Sequence, residues 1–100
     1  ITDVSNLPNQ FMLYQNYPNP FNPITTLQYE LLEDSFVNVT IYDMLGNVVN
    51  NLVNANQSSG YQSIQWDATN NQGEHVSAGV YLYKIQAGDF VDTKKMILLK

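Results

Sequence analysis

Cysteine is absent from the chain, and so is arginine. Without cysteine there is no disulfide framework, no thiolate nucleophile and no thiolate zinc site. Four lysines face nine aspartates and glutamates, a formal charge of −5 at pH 7. A nucleic-acid binder needs a basic patch to displace counterions from phosphates, and this composition excludes one. Anionic lipid surfaces are disfavoured for the same reason. Charged residues make up only 13% of the chain, against about 25% in ordinary globular domains. Asn, Gln, Ser and Thr supply the polar surface instead, which fits life outside the cytoplasm. No apolar run approaches the ~20 residues that a membrane-spanning helix needs. Ile1–Gln10 lacks the basic start and apolar centre of a signal peptide, so an export signal is expected upstream on a longer parent.

What is present reads as one all-β domain, since domains usually run to about 100–150 residues. Residues 1–10 read as a linker to an upstream parent domain, and 11–100 as the domain itself. Short alternating segments are broken by turn residues. In Thr25–Leu31, Leu27, Tyr29 and Leu31 face one way and Thr26, Gln28 and Glu30 the other. Val37, Val39 and Ile41 repeat the pattern, with Asn38 and Thr40 outward. Glu33-Asp34-Ser35 between them reads as a hairpin turn. Met44-Leu45-Gly46-Asn47 is the next turn, where Gly46 can take positive φ. Val48–Val53 is expected as a strand, Asn54–Gly60 as a polar loop and Tyr61–Trp66 as a strand with Ile64 and Trp66 on one face. Trp66 is the expected core anchor. Gly79–Ala87 places Tyr81, Tyr83 and Ile85 on one side. After a turn at Gly88-Asp89, Phe90–Leu99 closes the chain. About seven strands at this spacing predict an immunoglobulin-like antiparallel β-sandwich.

The opening differs. Phe11-Met12-Leu13 reads as a short edge strand. Tyr17-Pro18-Asn19-Pro20-Phe21-Asn22-Pro23 holds three prolines in seven residues. Proline fixes φ and lacks an N–H, so this stretch is a stiff crossing and not a central strand. Tyr17 and Phe21 are expected to cover the open end of the sandwich.

Candidate chemical sites are few. Asp67–Gly73 partly follows the calcium-loop pattern, but Thr69 fills the third position, Gly73 the seventh and Ala78 the twelfth. An Asx-type turn is the preferred reading, and no metal or other cofactor is expected. His75 is the sole histidine and has no partner at ligand spacing. Ser58, Ser59, Ser63 and Ser77 lack a nucleophile elbow. Glu30, Glu33 and Asp34 read as hairpin carboxylates, and no enzyme chemistry is expected. Tyr61, Tyr81 and Tyr83 would form a sugar-stacking platform if exposed, but alternation puts Tyr81 and Tyr83 on the core face. Asn38-Val39-Thr40 and Asn56-Gln57-Ser58 match the glycosylation acceptor pattern.

Four ordered segments resemble one family: Leu13–Pro23, Val39–Gly46, Ala78–Tyr83 and Lys94–Lys100, with Trp66-Asp67 between the second and third. Together, over about residues 13–100, they resemble the type A C-terminal sorting domain of the type IX secretion system, whose fold is shared with the Ig-like domain of flagellar hook-capping proteins. Ala68 departs from the glycine common after the Trp-Asp pair, leaving the loop's backbone in question. The resemblance implies a parent exported to the periplasm and then carried through the outer-membrane secretion apparatus to the cell surface or medium. A sortase-like protease often removes such a domain as it anchors the cargo. Pro18, Asn19, Pro20, Gly46, Gly79, Tyr81, Lys94 and Lys95 fall on the family's motif positions and are the implied recognition residues.

The end of the final strand is expected to be open to an outside partner, as exposed strand edges are docking templates. Lys94 and Lys95 read as a local basic spot on an acidic domain. The isolated domain is expected to be monomeric. Two other classes fit the sequence, a structural or adhesive Ig-like spacer and a carbohydrate-binding module.

Overall fold

The structure, a computed structural model, describes residues 9–99. Residues 1–8 of the expected linker, and Lys100, lie outside the described residues. Seven strands are present: β1 (Met12–Leu13), β2 (Thr25–Leu31), β3 (Ser35–Asp43), β4 (Val48–Gln57), β5 (Gly60–Trp66), β6 (Gly79–Ala87) and β7 (Phe90–Leu98). They form two antiparallel sheets, β1-β2-β5 and β4-β3-β6-β7. This is the expected all-β, Ig-like sandwich.

Alternation drives the packing. Leu27, Tyr29 and Leu31 of β2 face Val37, Val39 and Ile41 of β3 and Tyr83 and Ile85 of β6, all 0–1% exposed. Each such aliphatic side chain contributes about 1.5–3 kcal/mol on burial. Trp66 is 1% exposed and meets Phe21 at 5.8 Å and the edge of Tyr81 at 5.4 Å between ring centroids. It anchors the core as its sequence position predicts.

The expected hairpin at Glu33-Asp34-Ser35 is instead an arch. β2 and β3 belong to different sheets, because their apolar faces must oppose each other across the core. Ser35 Oγ donates to Glu33 O, and Asp34 Oδ1 accepts the Ser59 N–H at 2.8 Å, tying the arch to the β4–β5 turn.

The expected loop at 54–60 is largely strand, since β4 runs on to Gln57. Asparagine side chains support it: Asn51 Nδ2 donates to Thr40 Oγ1 at 2.8 Å, and Asn38 Nδ2 to Asn54 Oδ1 at 3.3 Å. That network also buries Thr40, which points outward as expected yet is only 6% exposed. Glu30 likewise sits on the outward row of β2 but is 5% exposed.

Candidate recognition surface

The three late motifs become neighbours in one sheet. Asp43 of β3 pairs with Tyr81 of β6, and Tyr81 with Met96 of β7. One row further in, Tyr42, Leu82 and Lys95 align. Gly79 lies opposite Leu98 with φ 149°, a backbone state that favours glycine. The sheet end is then closed by the turn after β3. There the Asp43 carboxylate accepts the N–H groups of Leu45 at 3.0 Å and Asn47 at 2.9 Å, and Gly46 takes φ 88°. The bond from the Asn47 backbone holds the Asp43 carboxyl below its ordinary pKa. The turn presents Leu45 almost fully to water, at 88% exposure.

The proline-rich motif is fastened along the free edge of β7. Phe21 N–H donates to Ile97 O at 3.0 Å, and Leu99 N–H to Phe21 O at 2.8 Å. Asn19 Oδ1 accepts the Ile97 N–H at 3.0 Å, and Gln15 Nε2 donates to Lys95 O at 2.7 Å. The end of β7 is therefore not open as the sequence implied: a segment lacking its own N–H donors at three positions closes it with the donors and acceptors that remain. Phe21 covers the sandwich end as expected. Tyr17 does not; it is 79% exposed.

Asn16 and Thr25 hold this motif in place, and sequence reasoning missed both. Asn16 is buried and its Nδ2 donates to Thr25 Oγ1 and Pro18 O, while Thr25 Oγ1 donates to Pro18 O. Carbonyls beside prolines need side-chain donors where no ladder reaches them, which was the one available signal. Tyr83 completes the clamp. Its hydroxyl donates to Tyr14 O at 2.7 Å and accepts the Asn16 N–H at 2.8 Å. Burial pushes the Tyr83 phenol up to about 12.

Residues 24–89 match the family model described as the FlgD Ig-like domain. The chain belongs to this family. The shared fold implied by its motifs is thereby borne out. Among solved structures, this FlgD-type domain is similar to dimeric latent PorU from Porphyromonas gingivalis, with 27% identity and a TM-score of 0.69 over 89% of this chain and 9% of that one. It is similar in fold to PorZ, described as an essential bacterial surface component of the type-IX secretion system of the same organism, with 20% identity and a TM-score of 0.62 over 88% of this chain and 11% of that one. FLGD from P. aeruginosa matches at 27% identity and TM-score 0.59 over 74% of this chain and 57% of that one. The chain thus spans a small part of PorU and PorZ. No curated protein matches it.

On this FlgD-type frame the motif residues separate into two groups. Pro18, Asn19, Pro20, Gly46 and Lys95 are exposed. Tyr81 is 7% exposed, with its hydroxyl on Ser77 O, so it supports the surface from beneath. Lys94 and Lys95 do not form one basic spot. Successive strand residues face opposite ways: Lys94 is half-buried on the Met96 face, and Lys95 is exposed on the Ile97 face.

The Asp67–Gly73 segment is a turn, as preferred. Asn70 Oδ1 accepts the N–H groups of Gln72 and Glu74, each at 3.0 Å, and Thr69 Oγ1 donates to Asp67 Oδ1. The turn also shields the edge of β4, where Asn71 N–H reaches Val49 O and Asn71 Oδ1 accepts the Asn51 N–H. Ala68 carries φ 64°, the one non-glycine positive φ among the described residues. His75 is exposed beyond the turn. Among the described residues no three His, Asp or Glu side chains converge as metal ligands, and no helix is long and apolar enough to cross a membrane.

Proposed function

We propose that this domain is a sorting signal that directs a larger protein through the outer-membrane type IX secretion apparatus to the cell surface, where a sortase-like protease acts on it. The observation that carries this reading is convergence: four motifs dispersed along the chain meet at one sandwich end, around Trp66, Tyr81 and Phe21. Motif positions that served the core alone would all be buried, whereas this end presents Asn19, Leu45, Lys95 and Ile97 to solvent. Exposed apolar groups rimmed by polar ones mark protein-docking surfaces. The likeness to PorZ supports the same setting. The domain contributes shape and surface, and the cleavage and attachment chemistry belongs to its partners.

The test is a periplasmic reporter fused to residues 1–100 in a host with this system. Export to the surface or medium is expected. Leu45→Ser and Lys95→Gln should lower export while leaving the melt within about 0.5 kcal/mol, as surface changes do. Lys94→Gln, on the other strand face, should export normally. A fusion that folds yet stays in the periplasm would favour the spacer reading.

A further inference from the structure

The two sheets leave four edge strands, β1 and β5 in one and β4 and β7 in the other. The unpaired N–H and C=O groups of an edge are a template for another chain, and proteins ordinarily blunt them. Three of the four are blunted here. β1 is only two residues long. β4 is broken by register shifts against β3 and shielded by the 67–73 turn. β7 carries Lys94 and Lys95 and is latched by the proline-rich motif. β5 has no such protection. Its seven residues, Gly60–Trp66, include neither a charge nor a proline, and they pair with β2 without a register shift.

The register fixes which groups β5 leaves open. Tyr14 N–H donates to Gln28 O, and Tyr17 and Thr26 exchange both backbone bonds. Thr26 and Gln28 thus turn their groups toward the β1 side, and the alternate residues Thr25, Leu27, Tyr29 and Leu31 turn theirs toward β5. Those four stand opposite Trp66, Ile64, Gln62 and Gly60. Tyr61, Ser63 and Gln65 therefore direct their N–H and C=O groups away from β2, where nothing among the described residues bonds them.

Two features select the occupant. Ile64, on the inner row of β5, is only half-buried, as are Leu52 and Val53 of β4, the edge strand joined to β5 by the Ser58-Ser59 turn. A strand laid along β5 would set alternate side chains beside Ile64, so those positions suit apolar residues. β5 itself is neutral, but exposed carboxylates stand at both of its ends: Asp34, which accepts the Ser59 N–H at 2.8 Å, and Asp67, directly after Trp66. The described lysines, Lys84, Lys94 and Lys95, all belong to the opposite sheet. Acidic flanks favour basic ones on the partner and fix its register. A second copy paired antiparallel about Ser63 would instead bring each Asp67 opposite the Ser59–Asp34 pair of the other chain, and like charges placed opposite are destabilising. We infer that the free edge of β5 is a docking site for an extended segment of a partner polypeptide, apolar at alternate positions and flanked by lysine or arginine, which joins the β1-β2-β5 sheet as an antiparallel fourth strand. The site stands whether or not the domain is a sorting signal.

The test titrates the ¹⁵N-labelled chain with a blocked peptide, Lys-Thr-Val-Thr-Val-Thr-Lys, with its Glu-flanked counterpart, and with a version N-methylated on the threonine amides that would face β5. Saturable shifts and slowed amide exchange at Tyr61, Ser63 and Gln65 are expected with the Lys-flanked peptide, at a Kd on the order of millimolar. The methylated peptide, which leaves the protein untouched, should bind about tenfold more weakly or not at all. The Glu-flanked peptide should bind several-fold more weakly. Asp34→Asn with Asp67→Asn keeps the acceptor oxygens for Ser59 N–H and Thr69 Oγ1 and should level the Lys- and Glu-flanked peptides. No response at Tyr61, Ser63 and Gln65, equal binding by the methylated or Glu-flanked peptide, or an undiminished preference in the double variant would each overturn the inference. Concentration-dependent shifts there without peptide would also overturn it, assigning the edge to a second copy.

Discussion

Asn16 and Tyr83 lie 67 positions apart, and the backbone N–H of the first donates to the hydroxyl of the second at 2.8 Å. The same hydroxyl donates to Tyr14 O, so one phenol joins the proline-rich segment to β6.

Tyr83→Phe keeps the ring and strands both backbone groups. A loss of about 1–3 kcal/mol is expected in denaturant melts. The pH dependence supplies a second check. Burial pushes the folded phenol up to about 12, against about 10 in the unfolded chain. The native state therefore holds the proton more tightly, so this contribution is complete below pH ~10 and is lost as pH rises to ~12. The Phe variant should show a shallower alkaline decline.

Trp66→Ala should cost about 3–5 kcal/mol, most of the margin of a domain whose total is on the order of 5–15 kcal/mol. The Trp66 indole N–H also donates to Thr69 O at 2.8 Å, so the 67–73 turn should loosen with it. Equilibrium unfolding with amide exchange across residues 67–76 measures both effects.

Ala68→Gly tests the backbone at φ 64°. A non-glycine residue there costs about 1–2 kcal/mol, while losing the methyl from its 2%-exposed site costs about 0.8 kcal/mol. The variant is expected to be neutral or up to about 1 kcal/mol more stable, opposite to the usual result for a buried alanine. Ala68→Val should destabilise, since a β-branched residue tolerates positive φ poorly. A clear loss in the glycine variant would count against the strained backbone.

Asp43 titrates below its ordinary 3.8 because the Asn47 and Leu45 N–H groups bind the charged form. Its contribution is present above the unfolded value and disappears as pH falls through the lower folded value. Carboxyl NMR titration should find the depressed pKa, and Asp43→Ala should flatten the acid side of the stability profile.

Much of this was legible in the chain. Period-two alternation located β2, β3, β6 and β7 and placed Tyr81 and Tyr83 in the core. It could not tell a hairpin from an arch at Glu33–Ser35, because alternation defines a strand's faces and not its partner. The Asn-rich half of β4 was hidden since asparagine is poor in strands on propensity, and only Asn38, Thr40 and Asn51 together make it one. Lys94 and Lys95 are the instructive case: the same period that found the strand already separated them. Asn16 was invisible because its partner, Tyr83, is fixed only by the fold.

The closure of β7 also bears on how the chain reaches its fold. Gln15 meets Lys95 across 80 positions, and Asn19 meets Ile97 across 78. Such contacts form only after synthesis has passed Lys95 and Ile97, and their loop-closure entropy must be met before they contribute. Folding is therefore dominated by high contact order, with rates expected in the millisecond-to-second range. A chain stopped short of Lys95 keeps its proline-rich segment unlatched, so only chains that extend past Ile97 present the assembled motif surface.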